Sequence, residues 1–109
     1  MQVLVQVVCG GGPSLRDAIA KHTKLEEHDL VVTEQRRQGR QRGWTKVRSA
    51  IPGRHGAINL EWDADTRILI SRVITRGRGK PNLIIGDFVD FLLRRFRSRV
   101  QAINIIPRD

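Results

Sequence analysis

Residues 57–74, Ala-Ile-Asn-Leu-Glu-Trp-Asp-Ala-Asp-Thr-Arg-Ile-Leu-Ile-Ser-Arg-Val-Ile, decide how this chain folds. From Ala57 to Trp62 apolar and polar residues alternate, with Ile58, Leu60 and Trp62 on one side, the period of a half-buried strand. Asp63-Ala64-Asp65-Thr66 reads as a hairpin connection, because Asp side chains hydrogen-bond their own backbone in short turns. Arg67 to Thr75 returns as a second strand. Ile68, Ile70 and Ile74 share a face with Arg72, and Leu69 and Val73 take the other, so this strand is expected at the centre of a sheet, covered in part on both sides.

Toward the N-terminus, the β-branched run Gln2 to Cys9 reads as a buried strand ended by Gly10-Gly11-Gly12-Pro13. Ser14, three residues before Asp17, has the spacing of a capping box. Leu15, Ala18, Ile19 and His22 follow at helical spacing, which predicts a helix near 15–24 with His22 on its apolar stripe. Leu30 to Thr33 suggests a strand, and Trp44 to Ile51 another, with Lys46, Arg48 and Ala50 alternating against Thr45, Val47, Ser49 and Ile51. Toward the C-terminus, Ile85, Phe88, Val89, Leu92, Leu93 and Phe96 form one apolar stripe of a helix that starts after Pro81-Asn82. Its acids come early and its arginines late, as the helix dipole favours. Val100 to Ile106 reads as a last strand, with Pro107 ending it.

The 109 residues are expected to form one small two-layer α+β domain, 1–109, with a mixed or antiparallel sheet and about two helices. With residues 29–51 set aside as an inserted basic hairpin or loop, the remaining order is βαββαβ, the ferredoxin-like pattern.

Charge is unevenly placed. Residues 34–109 carry 17 Lys or Arg against 7 Asp or Glu, while residues 1–33 carry 3 against 4, so nearly all of the net charge of +9 follows Thr33. Two segments concentrate it. The first, 34–43, is expected as a flexible basic loop, holding Arg36, Arg37, Arg40 and Arg42 and running on to Trp44, Lys46 and Arg48. The second, 76–80, is an Arg/Gly loop with Arg76, Arg78 and Lys80. Arginine presents a planar fork matched to phosphate, and an exposed Trp offers a base a flat surface for stacking. Each neutralised phosphate releases counterions. Nucleic acid, RNA or DNA, is therefore the expected partner, bound without catalysis through these ten residues. A homodimer or an acidic protein partner is the alternative, with Phe88, Phe91 or Phe96 extending an interface.

Candidate chemistry elsewhere is sparse. Cys9 is the only cysteine, which excludes an internal disulfide and a Cys-x-x-Cys zinc pattern. Cys9-Gly10-Gly11-Gly12 resembles the opening of sugar-phosphotransferase IIB components, where a strand ends in Cys-Gly-x-Gly, which would imply a reactive thiol. A buried structural Cys is the expectation preferred here, and the Cys-x5-Arg phosphatase loop fails because position 15 is Leu15. Gly53-Arg54-His55-Gly56, followed by a strand and a helix, resembles the HicA-type mRNA-cleaving toxins. That resemblance implies RNA cleavage with His55 as the catalytic residue. His28 lies in an acidic turn and is expected to be solvated; Glu61, Asp63 and Asp65 cluster at the hairpin, where turn chemistry accounts for them. No cofactor and no metal are expected. No apolar run approaches the ~18–20 residues that cross a bilayer, and the expected setting is cytoplasmic, with no membrane partner.

Overall fold

The computed structural model describes residues 2–36, 43–77 and 79–108, with the side chain of Arg36 outside the description. In chain order the elements are β1 (Gln2–Cys9), α1 (Leu15–Ala20), a 3₁₀ turn (Leu25–His28), β2 (Leu30–Arg36), β3 (Trp44–Ser49), β4 (Ala57–Asp63), β5 (Ile68–Ile74), α2 (Asn82–Arg95) and β6 (Val100–Pro107). The six strands form one sheet in the order β2-β3-β4-β5-β1-β6, every pairing antiparallel. The molecule is thus a small α+β unit of a sheet and two helices.

The strand order differs from that of a four-stranded ferredoxin-like sheet. β2 and β3 belong to the sheet instead of standing beside it as an insertion, and residues 34–36 lie within β2. The physical reason is in the alternation. Val32 pairs with Val47, and Thr45 and Val47 pair with Leu60 and Ile58, so the core-facing side of the sheet continues through both strands. No helix among the described residues is long and apolar enough to cross a membrane.

All the buried strand residues point to one side. Val3, Val5, Val7 and Cys9 of β1, Val47 of β3, Ile58 and Leu60 of β4, and Leu69 and Val73 of β5 join Leu15, Ile19, Ile84, Phe88, Phe91 and Leu92 of the helices in a single cluster. Both helices therefore cover the same face.

α1 begins as its sequence suggests, with Ser14 Oγ accepting from the Asp17 amide at 3.2 Å. It ends at Ala20, earlier than expected. The His22 ring supplies the reason, since Nδ1 accepts from the Lys24 amide at 3.0 Å and turns the chain into the 3₁₀ segment. His22 packs edge-on against Phe91 and Phe96. Burial, reinforced by the nearby Arg95 cation, pushes its pKa below the ordinary histidine value.

The apolar stripe of α2 is rotated from the expected one. Ile84, Phe88, Phe91 and Leu92 are buried, whereas Leu93 is 46% exposed. Phe88 and Phe91 are fully enclosed within the monomer, so neither side chain is available to extend an interface. His28 is also not a solvated turn residue. Arg95 Nε can only donate, so His28 Nε2 accepts from it at 3.1 Å, and the ring proton sits on Nδ1, 3.2 Å from Asp90 Oδ2. Phe91 closes the ring's side.

Candidate nucleic-acid interface

Among the described residues, no helix lies on the opposite face of the sheet. Its side chains follow from the period of two: Trp44, Lys46 and Arg48 on β3, Asn59 and Glu61 on β4, Ile70, Arg72 and Ile74 on β5, Leu4 and Gln6 on β1, and Asn104 and Ile106 on β6. All are half-buried or exposed, and none of the described strand residues on this side is buried. Cross-strand register aligns them in rows. Lys46, Asn59, Arg72, Leu4 and Ile106 form one row, and Arg48, Ala57, Ile74 and Gln2 the next.

A cleft of about 480 Å³ opens at the end of these rows, between β3, β4, the turn at 51–56 and the segment after β5. Lys46, Arg48, Arg54, His55 and Arg76 line it, and no carboxylate among the described residues does. Two local features fix its rim. Gly56 has φ +117°, and a Cβ there would meet Ile84 and Thr75 side chains at 3.1 and 3.3 Å. A Cβ on Gly79 would come within 2.8 Å of the His55 Cβ, so the second basic segment lies directly against the turn that carries His55.

The cations are held differently. Arg54 Nη1 contacts Asp87 Oδ2 of α2 at 2.8 Å, and Lys46 Nζ lies 3.8 Å from Glu34. Burial pushes the Asp87 carboxyl above the ordinary aspartate value, outweighing the opposing pull of Arg54. Arg48 and Arg76 are exposed and make no ion pair among the described residues. On the cleft floor, Asn59 Oδ1 is buried without a hydrogen-bond partner. Next along the sheet, Arg72 Nη1 meets Glu61 Oε1 at 2.8 Å.

Of the ten residues singled out in the sequence, the cleft brings together Lys46, Arg48 and Arg76, one pair from the first basic segment and one residue from the second. Trp44 shares their sheet face but does not line the cleft, and Lys80 is exposed outside it. Arg36 pairs through its backbone with Trp44, and its side chain is not described. Arg37, Arg40, Arg42 and Arg78 lie outside the described residues. Sequence reading missed Arg54 and Asn59. Arg54 sat beside the His55 that drew attention, and the strand period did place Asn59 opposite Ile58 and Leu60.

The remaining candidates have structural roles. Cys9 is 4% exposed, its Sγ faces the Val7 carbonyl at 3.6 Å, and burial pushes its thiol pKa up, the reverse of an activated nucleophile. Asp63 Oδ1 accepts from the amides of Asp65 and Thr66, which is hairpin-turn chemistry. The described residues contain no group of three or more potential metal ligands. The late arginines of α2 are also committed: Arg94 to Asp90, Arg95 to His28 and Glu27, and Arg99 of the following turn to the Pro13 carbonyl. His55 is exposed, and no described residue hydrogen-bonds its ring to orient it as an acid or base. No family model, curated protein or solved structure matches the chain.

Proposed function

We propose that this protein binds nucleic acid, without catalysis, by seating phosphates in the cleft between β3 and the turn at 51–56. The observation that supports this reading most directly is the lining of that cleft. Lys46, Arg48, Arg54 and Arg76 converge on one concave surface with no carboxylate among them, in a chain of net charge +9. A concave site of one sign concentrates a polyanion and speeds its capture. Arg48 and Arg76, having no ion-pair partner to give up among the described residues, are the first phosphate ligands; Trp44 and the segments around Arg37 and Arg78 extend the contact. The strands β1, β4, β5 and β6 with the two helices make a βαββαβ unit in our reading, widened by β2 and β3 to give this site its outer wall. A cytoplasmic setting suits it.

Fluorescence anisotropy with labelled oligonucleotides at several salt concentrations tests the proposal. About four phosphate contacts give a log–log salt slope of roughly −3 to −4. Arg48→Ala and Arg76→Ala should each weaken binding and flatten the slope by close to one. Absence of binding at low salt would remove the proposal. A second reading, RNA cleavage, is favoured only by the place of His55 in the same cleft. Cleavage that persists in a His55→Ala variant would dispose of it.

A further inference from the structure

We infer that the strand bound is single, with its phosphates in the cleft and a base in a neighbouring hollow on the same sheet face. This rests on the nucleic-acid reading above and names the form of its ligand. The hollow, about 250 Å³, is lined by Gln2, Leu4, Gln6, Ile70, Arg72 and Arg108, among others. β5 is its common wall with the cleft: Ile74 and Arg76 face the cleft, and Ile70 and Arg72 face the hollow. Cleft and hollow are centred on β4 and on the β5–β1 pair, so across the strands they lie roughly 7 Å apart at ~4.8 Å per strand spacing. A flexible strand bridges such a gap within a nucleotide or so.

The chemistry of the hollow is that of a base site. Leu4 and Ile70 give an apolar floor for a ring, and the Gln6 carboxamide carries both donors and an acceptor for a base edge. Arg108 brings a guanidinium plane that stacks on a base or meets the flanking phosphate, while Arg72, paired with Glu61, offers its plane for stacking.

The shape of the surface excludes a duplex as the preferred ligand. Duplex bases show only their edges, inside grooves that admit a helix or a two-stranded ribbon. A six-stranded sheet face is too broad for the major groove and lies in a minor groove only when the duplex is bent and opened at a cost. Unstacked bases of a single strand, in contrast, can lie on such a face.

The experiment compares one labelled sequence as single-stranded RNA, as single-stranded DNA and annealed to its complement, at several salt concentrations, with the parent and with Gln6→Ala, Ile70→Thr and Arg48→Ala variants. Circular dichroism confirms that each variant is folded. The single strands should bind about tenfold or more tighter than the duplexes. Gln6→Ala and Ile70→Thr should weaken single-strand binding severalfold and leave both duplex binding and the salt slope unchanged. Arg48→Ala should weaken both forms. Equal affinity for single strand and duplex, or indifference to the hollow variants, overturns this inference and leaves the nucleic-acid reading standing. Failure of every oligonucleotide to bind at low salt overturns both.

Discussion

Arg54 and Asp87 form a 2.8 Å ion pair that ties the turn before β4 to the side of α2, so one wall of the basic cleft is anchored to a helix on the other layer of the fold. Both side chains are about three-quarters buried, at 29% and 25% exposure. The pair has two opposing effects. It holds Arg54 in place at the cleft, and it partly cancels the charge that Arg54 offers a phosphate.

Replacing Asp87 by Asn should release that charge. Oligonucleotide affinity should rise severalfold and the salt slope should steepen by up to one, as for one added phosphate contact. The parent should approach the same behaviour on acidification. Because burial raises the Asp87 pKa, the carboxyl gains its proton at a higher pH than an ordinary aspartate, near 3.9, and Arg54 is then unpaired. Anisotropy titrations of parent and variant across pH 4–7 measure this; a variant that binds more weakly than the parent at pH 7 would sink it.

His22 makes stability depend on pH in the opposite sense. Its folded-state pKa is lowered, chiefly by burial against Phe91 and Phe96. A lowered pKa favours the neutral ring in the folded protein. The stabilisation is therefore present above the unfolded value of about 6.5 and is lost as pH falls through the folded value. Urea midpoints should drop between pH 7.5 and 5. In a His22→Asn variant, which keeps an acceptor for the Lys24 amide, that drop should shrink. Identical pH profiles for the two proteins would refute this.

Cys9 should behave as a protected thiol. Its burial and raised pKa keep it from presenting a thiolate. Disulfide-exchange reagents such as Ellman's reagent should label it orders of magnitude more slowly in the folded chain than in denaturant. Rapid labelling of the native protein would contradict the placement of β1.

The rotation of α2 predicts a contrast between near neighbours. Phe88→Ala empties a fully buried site and should cost about 3–5 kcal/mol. Leu93→Ala, on the exposed side, should stay within about 1 kcal/mol. Denaturant melts of both variants check it, and comparable losses would restore the stripe expected from the sequence.

Those two positions show where the sequence was legible and where it was not. Alternation in residues 57–62, followed by an Asp-rich turn and a second apolar run, gave the central hairpin, because a period of two has only one burial solution when one face is covered. In α2 too many residues are apolar for the period alone to choose a face. Leu83, Ile84, Ile85, Phe91 and Leu93 all compete, and the choice is made by what the sheet and the 3₁₀ turn present to it. His28 was misread for a related reason: its partner Asp90 lies 62 residues away, and only the packing of the turn on α2 unites them. At the cleft, alternation on β3 put Lys46 and Arg48 on one face. That Arg76 and Arg54 would meet them depended on the pairing of β4 with both neighbours, a matter of tertiary register.

The position of β1 between β5 and β6 also sets the order in which this chain can fold. Val3 pairs with Val73 on one side and with Pro107 on the other, so the strand nearest the N-terminus has no neighbour until β5 forms and is flanked on both sides only when β6 arrives. The β2–β5 meander, by contrast, links strands that are adjacent in sequence and closes through short connections. Such a topology favours early formation of the basic cleft's outer wall from local contacts and late completion of the core, after the most distant loop has closed, which places its folding among the slower, high-contact-order domains.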